Sequence, residues 1–382
     1  MKKIIFGAAN YWSSPYQVGS HHYAREFVKN NWQVAFISDA ISPFHFLAKG
    51  EKKQLKERFN IFLKGGQWLE NKKVWAYVPF TFCPVYNKMV LKSDWALARS
   101  HKLFFPPLKK KLKDKGFNQV DVIWLDSVKQ YYLLDLIKHQ KSVLRIADKN
   151  QGNSRVPKSL VKKEKELIKK VDAILVSSKI LFQEIKKIRK QNVFYLSNGV
   201  DFEYFKNSPV VLPKEYEKIP SPRVIYVGAI EKWFDLDLFY FLAQKLKNVS
   251  FVIIGLPKIN LKKINDLSNV FILGPKNHQT LPSYLRFCQA GIIPFKKNEL
   301  TDYITPIKLF EYFSSGLPVV SVNLKETEAL NSPALLAQNN QDFLDKLKLL
   351  IAQPISEKER FYEFAQNHTW EKNFEFLLKN IL

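Results

Sequence analysis

Short apolar runs alternate with stretches of helical period from one end of the chain to the other. In the first half the runs are IIFGA (4–8), WQVAFIS (32–38), VWAYVPF (74–80), VDVIWLD (120–126), SVLRIAD (142–148), AILVSS (173–178) and NVFYLS (192–197). Continuous β-branched and aromatic runs of this length, separated by helices, predict strands covered on both faces, hence a parallel sheet in a Rossmann-like domain. The polar, proline-bearing stretch NSPVVLPKEYEKIPSPR (207–223) then reads as a linker. Alternation resumes with VIYVGA (224–229), SFVIIG (250–255), NVFILG (269–274), AGIIPF (290–295) and PVVSV (318–322), which predicts a second domain of the same kind. The expected fold class is therefore α/β, with two Rossmann-like domains facing across a cleft. Ligands of open α/β sheets sit at the carboxyl ends of the strands, so the cleft is the expected site.

One helix in the second half carries unusual chemistry. In TPIKLFEYFSSGLPVVS (305–321), Thr305 is a capping residue type, Pro306 suits a first helical position, and Gly316 suits the left-handed residue that ends a helix. Lys308 and Glu311 then share one face three residues apart, with the lysine near the positive end of the helix dipole. That placement is unfavourable for an isolated helix. It is explained if a diphosphate docks there while the carboxylate accepts hydrogen bonds from a sugar diol; the other reading is a solvated Lys–Glu pair.

Composition narrows the classes. The 382 residues, 46% of them hydrophobic, suffice for two domains with cores of their own. No apolar run approaches the ~18 residues of a membrane span, and MKKIIFGAANYW is too short in its apolar part for a signal peptide, so a cytoplasmic protein is expected. Cys83 and Cys288 are too few for a disulfide framework or a cysteine metal site. The net charge of +25 is unevenly spread: residues 49–115 hold 17 Lys and Arg against 5 Asp and Glu, interleaved with Trp68, Trp75, Trp95, Phe104 and Phe105. Lysines beside large apolar side chains suit an anionic bilayer surface. Nucleic acid and a plain solvated face are the alternatives, and of the partners the membrane surface is expected and nucleic acid is not.

Five blocks in order, LSNGVDFEYF (196–205), GAIEKWFDLDLFYFLA (228–243), LGPKNHQTLPSYLRFCQAGIIPF (273–295), ITPIKLFEYFSSGLPVVS (304–321) and FAQNHTWEKNFEFLL (364–378), resemble the family-4 glycosyltransferases of the GT-B superfamily. Together with VLRIADKNQ (143–151) they resemble most the membrane-associated glucuronosyltransferases of xanthan assembly. The resemblance implies an acceptor domain over 1–205, a nucleotide-sugar domain over 206–360, and a C-terminal helix (361–382) returning to the first domain. It implies that Glu311 contacts the donor ribose and Lys308 the diphosphate, with Tyr303, Ile307 and Gly228 around the donor. Gly19, His21 and His22, in the loop and helix start after the first strand, would face the acceptor or the cleft; a surface or helix-start role is the alternative for the histidines. Tyr303 stands where the family pattern has a first glutamate, and Ala229 where many members carry a diphosphate-binding arginine. These departures incline the chain toward the inverting glucuronosyltransferases, whose base matches Asp148.

An inverting transfer needs one carboxylate to take the proton of the attacking hydroxyl, and Asp148 at a strand end suits that role; a cap or loop ion pair is the alternative. The pair Asp235 and Asp237 mimics a metal motif but opens a helix, where aspartate is a normal cap, so no metal and no cofactor are expected. The expectation is a metal-independent glycosyltransferase at the inner face of the cell membrane. It would move a sugar from a nucleotide-sugar, UDP-linked, to a lipid-linked or envelope polysaccharide hydroxyl. The alternatives are a non-catalytic basic protein with a relic nucleotide site, and a nucleotide-sugar epimerase on the same fold.

Overall fold

The computed structural model describes the chain apart from residue 16 and residues 48–51, 86–88, 151–155 and 353–357. The end of the 143–151 block and parts of the basic 49–115 segment therefore lie outside the described residues. The chain divides into two compact units: residues 1–177, 181–196 and 374–382 form one, and residues 178–180 and 197–373 the other. The division falls ahead of the proline-bearing stretch 207–223, whose residues belong to the second unit. Of the C-terminal segment, only Phe374–Leu382 groups with the first unit.

The first unit holds strands β1 (Lys3–Ala8), β2 (Gln33–Ser38), β3 (Gln67–Leu69), β4 (Val74–Tyr77), β5 (Gln119–Leu125), β6 (Lys138–Ile146), β7 (Ala173–Val176) and β8 (Val193–Tyr195). They lie in the order β3, β4, β2, β1, β5, β6, β7, β8, parallel except for the antiparallel β3–β4 pair. The second unit holds β9 (Arg223–Val227), β10 (Ser250–Ile254), β11 (Val270–Gly274), β12 (Ala290–Ile293), β13 (Val319–Val322) and β14 (Leu335–Ala337), all parallel, in the order β11, β10, β9, β12, β13, β14. Each sheet reverses its winding once, between β1 and β5 and between β9 and β12. Such a switch point opens a crevice at the carboxyl ends of the strands.

Burial explains the element pattern. Ile4, Ile5 and Phe6 of β1, and Val224, Ile225 and Tyr226 of β9, are fully buried, as strands covered by helices on both faces must be. The two strands without a predicted counterpart, β3 and β14, are three-residue edge strands with half-buried residues and so lack a continuous apolar run. In the second unit, helix Ile307–Ser314 turns Leu309, Phe310, Tyr312 and Phe313 into the core and leaves Ile307, Lys308 and Glu311 half-exposed. Gly316 follows at φ +70°, the left-handed conformation expected of it. Thr305 does not cap this helix. Its hydroxyl instead meets the buried Glu326 carboxylate at 3.2 Å, and Pro306 holds the N-cap position.

The aromatic residues of the basic segment sort differently from the expectation. Trp75 is fully buried in β4 and stacks on Tyr77, Phe104 is buried against Tyr132, and Trp68 is half-buried beside Phe117. Only Trp95 and Phe105 of the five are exposed; Phe44, Phe46, Phe82 and Leu103 join them. A strand residue facing a covered sheet layer cannot reach solvent, whatever its flanking charges.

Candidate active site

In the second unit, the site is built where β9 and β12 part. Gly228 follows β9 with φ +140°, a conformation that L side chains rarely adopt, and a Cβ there would lie 2.6 Å from Lys308 Nζ. Glycine therefore makes the space the ammonium occupies. Lys308 Nζ lies 4.0 Å from the Tyr226 ring centroid and 4.8 Å from that of Phe295, so two aromatic faces cradle it. Burial pulls its pKa down to about 7, with the Glu311 carboxylate pulling the other way. A cation held so close to losing its charge is a poor structural ion pair and a ready partner for an anion of two charges.

Glu311, one turn along on the same face, meets His278 Nε2 through Oε1 at 3.0 Å. His278 lies on a 3₁₀ turn after β11, with its ring near-parallel to Tyr204 and edge-on to Phe205. It was missed in the sequence. The only available signal was a polar turn, PKNHQT, following the carboxyl end of a strand. Ile307 shares the outer face of the helix, while Tyr303 is buried in the preceding 3₁₀ turn (Thr301–Tyr303). Asp235 caps helix Leu236–Lys245 by accepting from the Asp237 and Leu238 amides, and Asp237 pairs with Lys263, so the aspartate pair serves the helix start.

The first unit carries a separate cavity of about 340 Å³ at the carboxyl ends of β1, β5 and β6, lined among others by Ala9, Asp126, Arg145, Asp148, Asn150 and Glu164. Arg145 Nη1 pairs with Asp126 Oδ1 at 3.4 Å, both side chains nearly buried, and its guanidinium lies over the Tyr23 ring. Burial raises the pKa of Asp126, opposed by the Arg145 charge. Asp148 follows β6 at the solvent-open side of this cavity; desolvation by the surrounding protein raises its pKa, Arg145 lowers it, and Asp126 raises it. Glu164 is likewise raised by burial and accepts a hydrogen bond from Asn150. Asp148 is the exposed one among these carboxyls, and a raised pKa strengthens it as a proton acceptor. Asp126 and Glu164 gave no sequence signal, because only the fold brings residues 126, 145, 148 and 164 together.

Of Gly19, His21 and His22, expected at the acceptor or the cleft, the expectation for His21 is corrected. A Cβ on Gly19 would lie 2.6 Å from the Arg145 guanidinium, so the glycine makes room for that arginine. His21 is fully buried: Nδ1 accepts from the Val18 amide at 3.2 Å and Nε2 lies 3.0 Å from the Tyr11 carbonyl. With burial holding its pKa at about 4, it is the neutral Nε2–H tautomer and ties the 11–18 turn to the start of helix Gly19–Lys29. His22 is half-buried and lines neither this cavity nor its neighbour in the first unit.

Among the described residues no group of three or more His, Cys, Asp or Glu could hold a metal ion. No helix among them is long and apolar enough to cross a membrane.

Comparison with known proteins follows the division of the chain. Residues 6–177 match the family of the N-terminal domain of glucuronosyltransferase GumK, and residues 221–353 match glycosyl transferases group 1. TuaH of Bacillus subtilis (strain 168), whose name assigns it as a glycosyltransferase to teichuronic acid biosynthesis, is 25% identical over 230 residues. That match covers 56% of this chain and 58% of the relative's length. Among solved structures, sucrose-phosphate synthase of Thermosynechococcus elongatus superposes with TM-score 0.72 at 12% identity over 99% of this chain and 98% of that one. Anabaena Alr3699/HepE in complex with UDP-glucose gives TM-score 0.64 at 14% identity over the whole of both chains. The chain has the two-domain α/β fold of the GT-B glycosyltransferases, and its first half resembles GumK.

Proposed function

We infer, from a chain whose two units match glycosyltransferase families in turn, that it is a metal-independent glycosyltransferase with a UDP-linked sugar as donor. The observation that carries this reading is the pairing of Lys308 with Glu311 on the outer face of helix Ile307–Ser314, beside the Gly228 end of β9. A diphosphate beside Lys308 would restore the ammonium's full charge and meet the positive end of the helix, while Glu311, oriented by His278, would accept from the ribose hydroxyls. The UDP-glucose complex of the similarly folded HepE supports the choice of donor.

Asp148 takes the proton of the acceptor hydroxyl as that oxygen attacks the anomeric carbon. The bond to the UDP oxygen breaks, its negative charge is met by Lys308, and the configuration inverts. Desolvation raises the pKa of Asp148, the Arg145 charge lowers it, and Asp126 raises it. The acceptor is a lipid-linked or envelope polysaccharide precursor, reached at the inner face of the cell membrane. Support for this comes from the exposed Phe44, Phe46, Phe82, Trp95, Leu103 and Phe105 and the exposed Lys109, Lys110 and Lys113, all in the first unit. Aromatic rings for shallow insertion and lysines worth about 1 kcal/mol each near an anionic surface are together sufficient for reversible attachment.

The test is a panel of UDP-sugars scored by thermal shift and then by transfer to membrane extracts. Stabilisation by one UDP-sugar with acceptor-dependent release of UDP is expected. Binding without turnover would leave a relic nucleotide site, and a changed sugar without acceptor would make the protein an epimerase.

A further inference from the structure

The wall of the Asp148 cavity carries a nearly buried ion pair, Arg145 with Asp126. We propose that these two are positioning residues for the proton acceptor: Asp126 takes up the guanidinium, so that Asp148, three residues beyond Arg145 in the chain, is left to receive the proton of the acceptor hydroxyl. The proposal rests on the reading of Asp148 as the base and adds two residues that act through it.

The sheet places the pair. In the β5–β6 register Leu125 lies opposite Leu144, so the next residues, Asp126 and Arg145, stand side by side at the carboxyl ends of the two strands. Arg145 folds inward because position 19 is a glycine: a Cβ there would lie 2.6 Å from the guanidinium, and the Tyr23 ring centroid is 5.8 Å from the guanidinium carbon. The two side chains are only 6% and 9% exposed, yet their contact is 3.4 Å, longer than the ~2.7–2.9 Å of a good charge-assisted bond. Two charges taken out of water for so long a contact are a weak source of stability. Their placement beside Asp148 gives them a use. The guanidinium cannot lose its proton, and it favours the ionised form of Asp126 against the burial that raises its pKa.

The other charges around the cavity are engaged elsewhere. Asp39 pairs with Lys129 at 2.9 Å, Glu164 accepts from Asn150, and Lys149, next to Asp148, pairs with Glu184 at 3.2 Å. On Asp148 itself desolvation acts first, then Arg145 to lower its pKa and Asp126 to raise it. With both carboxyls ionised, Asp126, Arg145 and Asp148 together carry one net negative charge, and a proton arriving on Asp148 makes them neutral. Without Asp126 the same proton would leave a net positive charge, and Asp148 would hold it less strongly. Two carboxyls beside one guanidinium thereby divide the work, one staying ionised and the other accepting the proton.

Carbon-13 NMR of the full-length protein with labelled aspartate tests this without needing turnover, the Asp148 carboxyl signal being assigned by its loss in Asp148→Asn. Asp126→Asn should lower the Asp148 midpoint by at least about half a pH unit, the low end of a neighbouring-charge effect for a group open to solvent, and Arg145→Met should raise it by a similar amount. Arg145→Lys, which keeps the charge, should stay close to wild type, and the double variant Asp126→Asn with Arg145→Met should lie between the two single variants. The acidic limb of kcat/KM should move with the midpoint in each. Opposite signs discriminate, because a loss of packing alone would move both single variants the same way. Where Arg145→Met, left with a lone buried carboxylate, does not fold, the double variant against Asp126→Asn makes the same comparison, the midpoint rising on removal of the arginine. A midpoint unmoved in Asp126→Asn, or moved alike in both single variants, overturns the proposal. Transfer that persists in Asp148→Asn while the opposite shifts occur overturns the base reading instead.

Discussion

If Lys308 receives the donor diphosphate, UDP binding must be coupled to a proton. With a pKa of about 7 in the free protein, about one lysine in ten is charged at pH 8, and about half at pH 7. Two phosphate charges docked against the ammonium stabilise its protonated form. If they return it to the ordinary lysine value of about 10.4, binding takes up about 0.9 proton at pH 8 and about 0.5 at pH 7. At about 1.4 kcal/mol per pKa unit the coupling is at most about 5 kcal/mol, and less after screening of a half-exposed group. UDP affinity should then fall with rising pH above about 7, by up to tenfold per unit, until the bound-state pKa is reached. Calorimetry in two buffers of different ionisation enthalpy at pH 8 reads the uptake directly; the terminal phosphate of UDP, with a pKa of about 6, is already ionised there. Lys308→Met keeps the apolar contacts to Tyr226 and Phe295 and should abolish the uptake while weakening UDP. An uptake near zero in the wild-type protein, or one that survives in Lys308→Met, refutes the assignment. The sign for the free protein is opposite in kind: the unfolded chain binds more protons than the folded one between about pH 7 and 10.5, so Lys308 makes stability rise with pH across that window.

Glu311→Gln should weaken UDP by about 1–3 kcal/mol in calorimetry, the cost of a lost charge-assisted bond, and unchanged affinity would remove Glu311 from the site. Asp148→Asn should leave UDP affinity intact while transfer falls on the order of 10²–10⁴-fold; turnover within a few-fold of wild type would put the base elsewhere. Because its pKa is raised, the acidic limb of the wild-type kcat/KM profile should lie above the ordinary carboxylate value of about 4, and a limb at or below that value would speak against Asp148. Gly19→Ala should displace Arg145 and lower transfer without touching UDP binding, measured by the same two assays. In liposome flotation, binding should require anionic lipid and weaken with salt, and Phe82→Ser with Phe105→Ser should reduce it where Trp75→Phe does not; equal binding to neutral vesicles would sink the membrane reading.

Apart from the short edge strands β3 and β14, the strands and their parallel arrangement were legible because a strand covered on both faces must be apolar along its whole length, and that is a local property of the chain. Helix Ile307–Ser314 was legible for the same reason: its end at Gly316 and its Lys308–Glu311 face depend on neighbours within one or two turns. What those side chains meet was decided by residues far away in the chain. Glu311 meets His278, Lys308 meets Tyr226 and the gap at Gly228, and Thr305 leaves its helix for Glu326. The carboxyls around Asp148 converge only because the doubly wound sheet brings the carboxyl ends of β1, β5 and β6 to one edge. Trp75 and Phe105 share a basic, aromatic neighbourhood in the sequence, yet one is sealed in the sheet and the other is in solvent. Periodicity reports which face of an element is apolar; whether that face is covered depends on elements dozens of residues away, and free energy of burial is settled only when they pack.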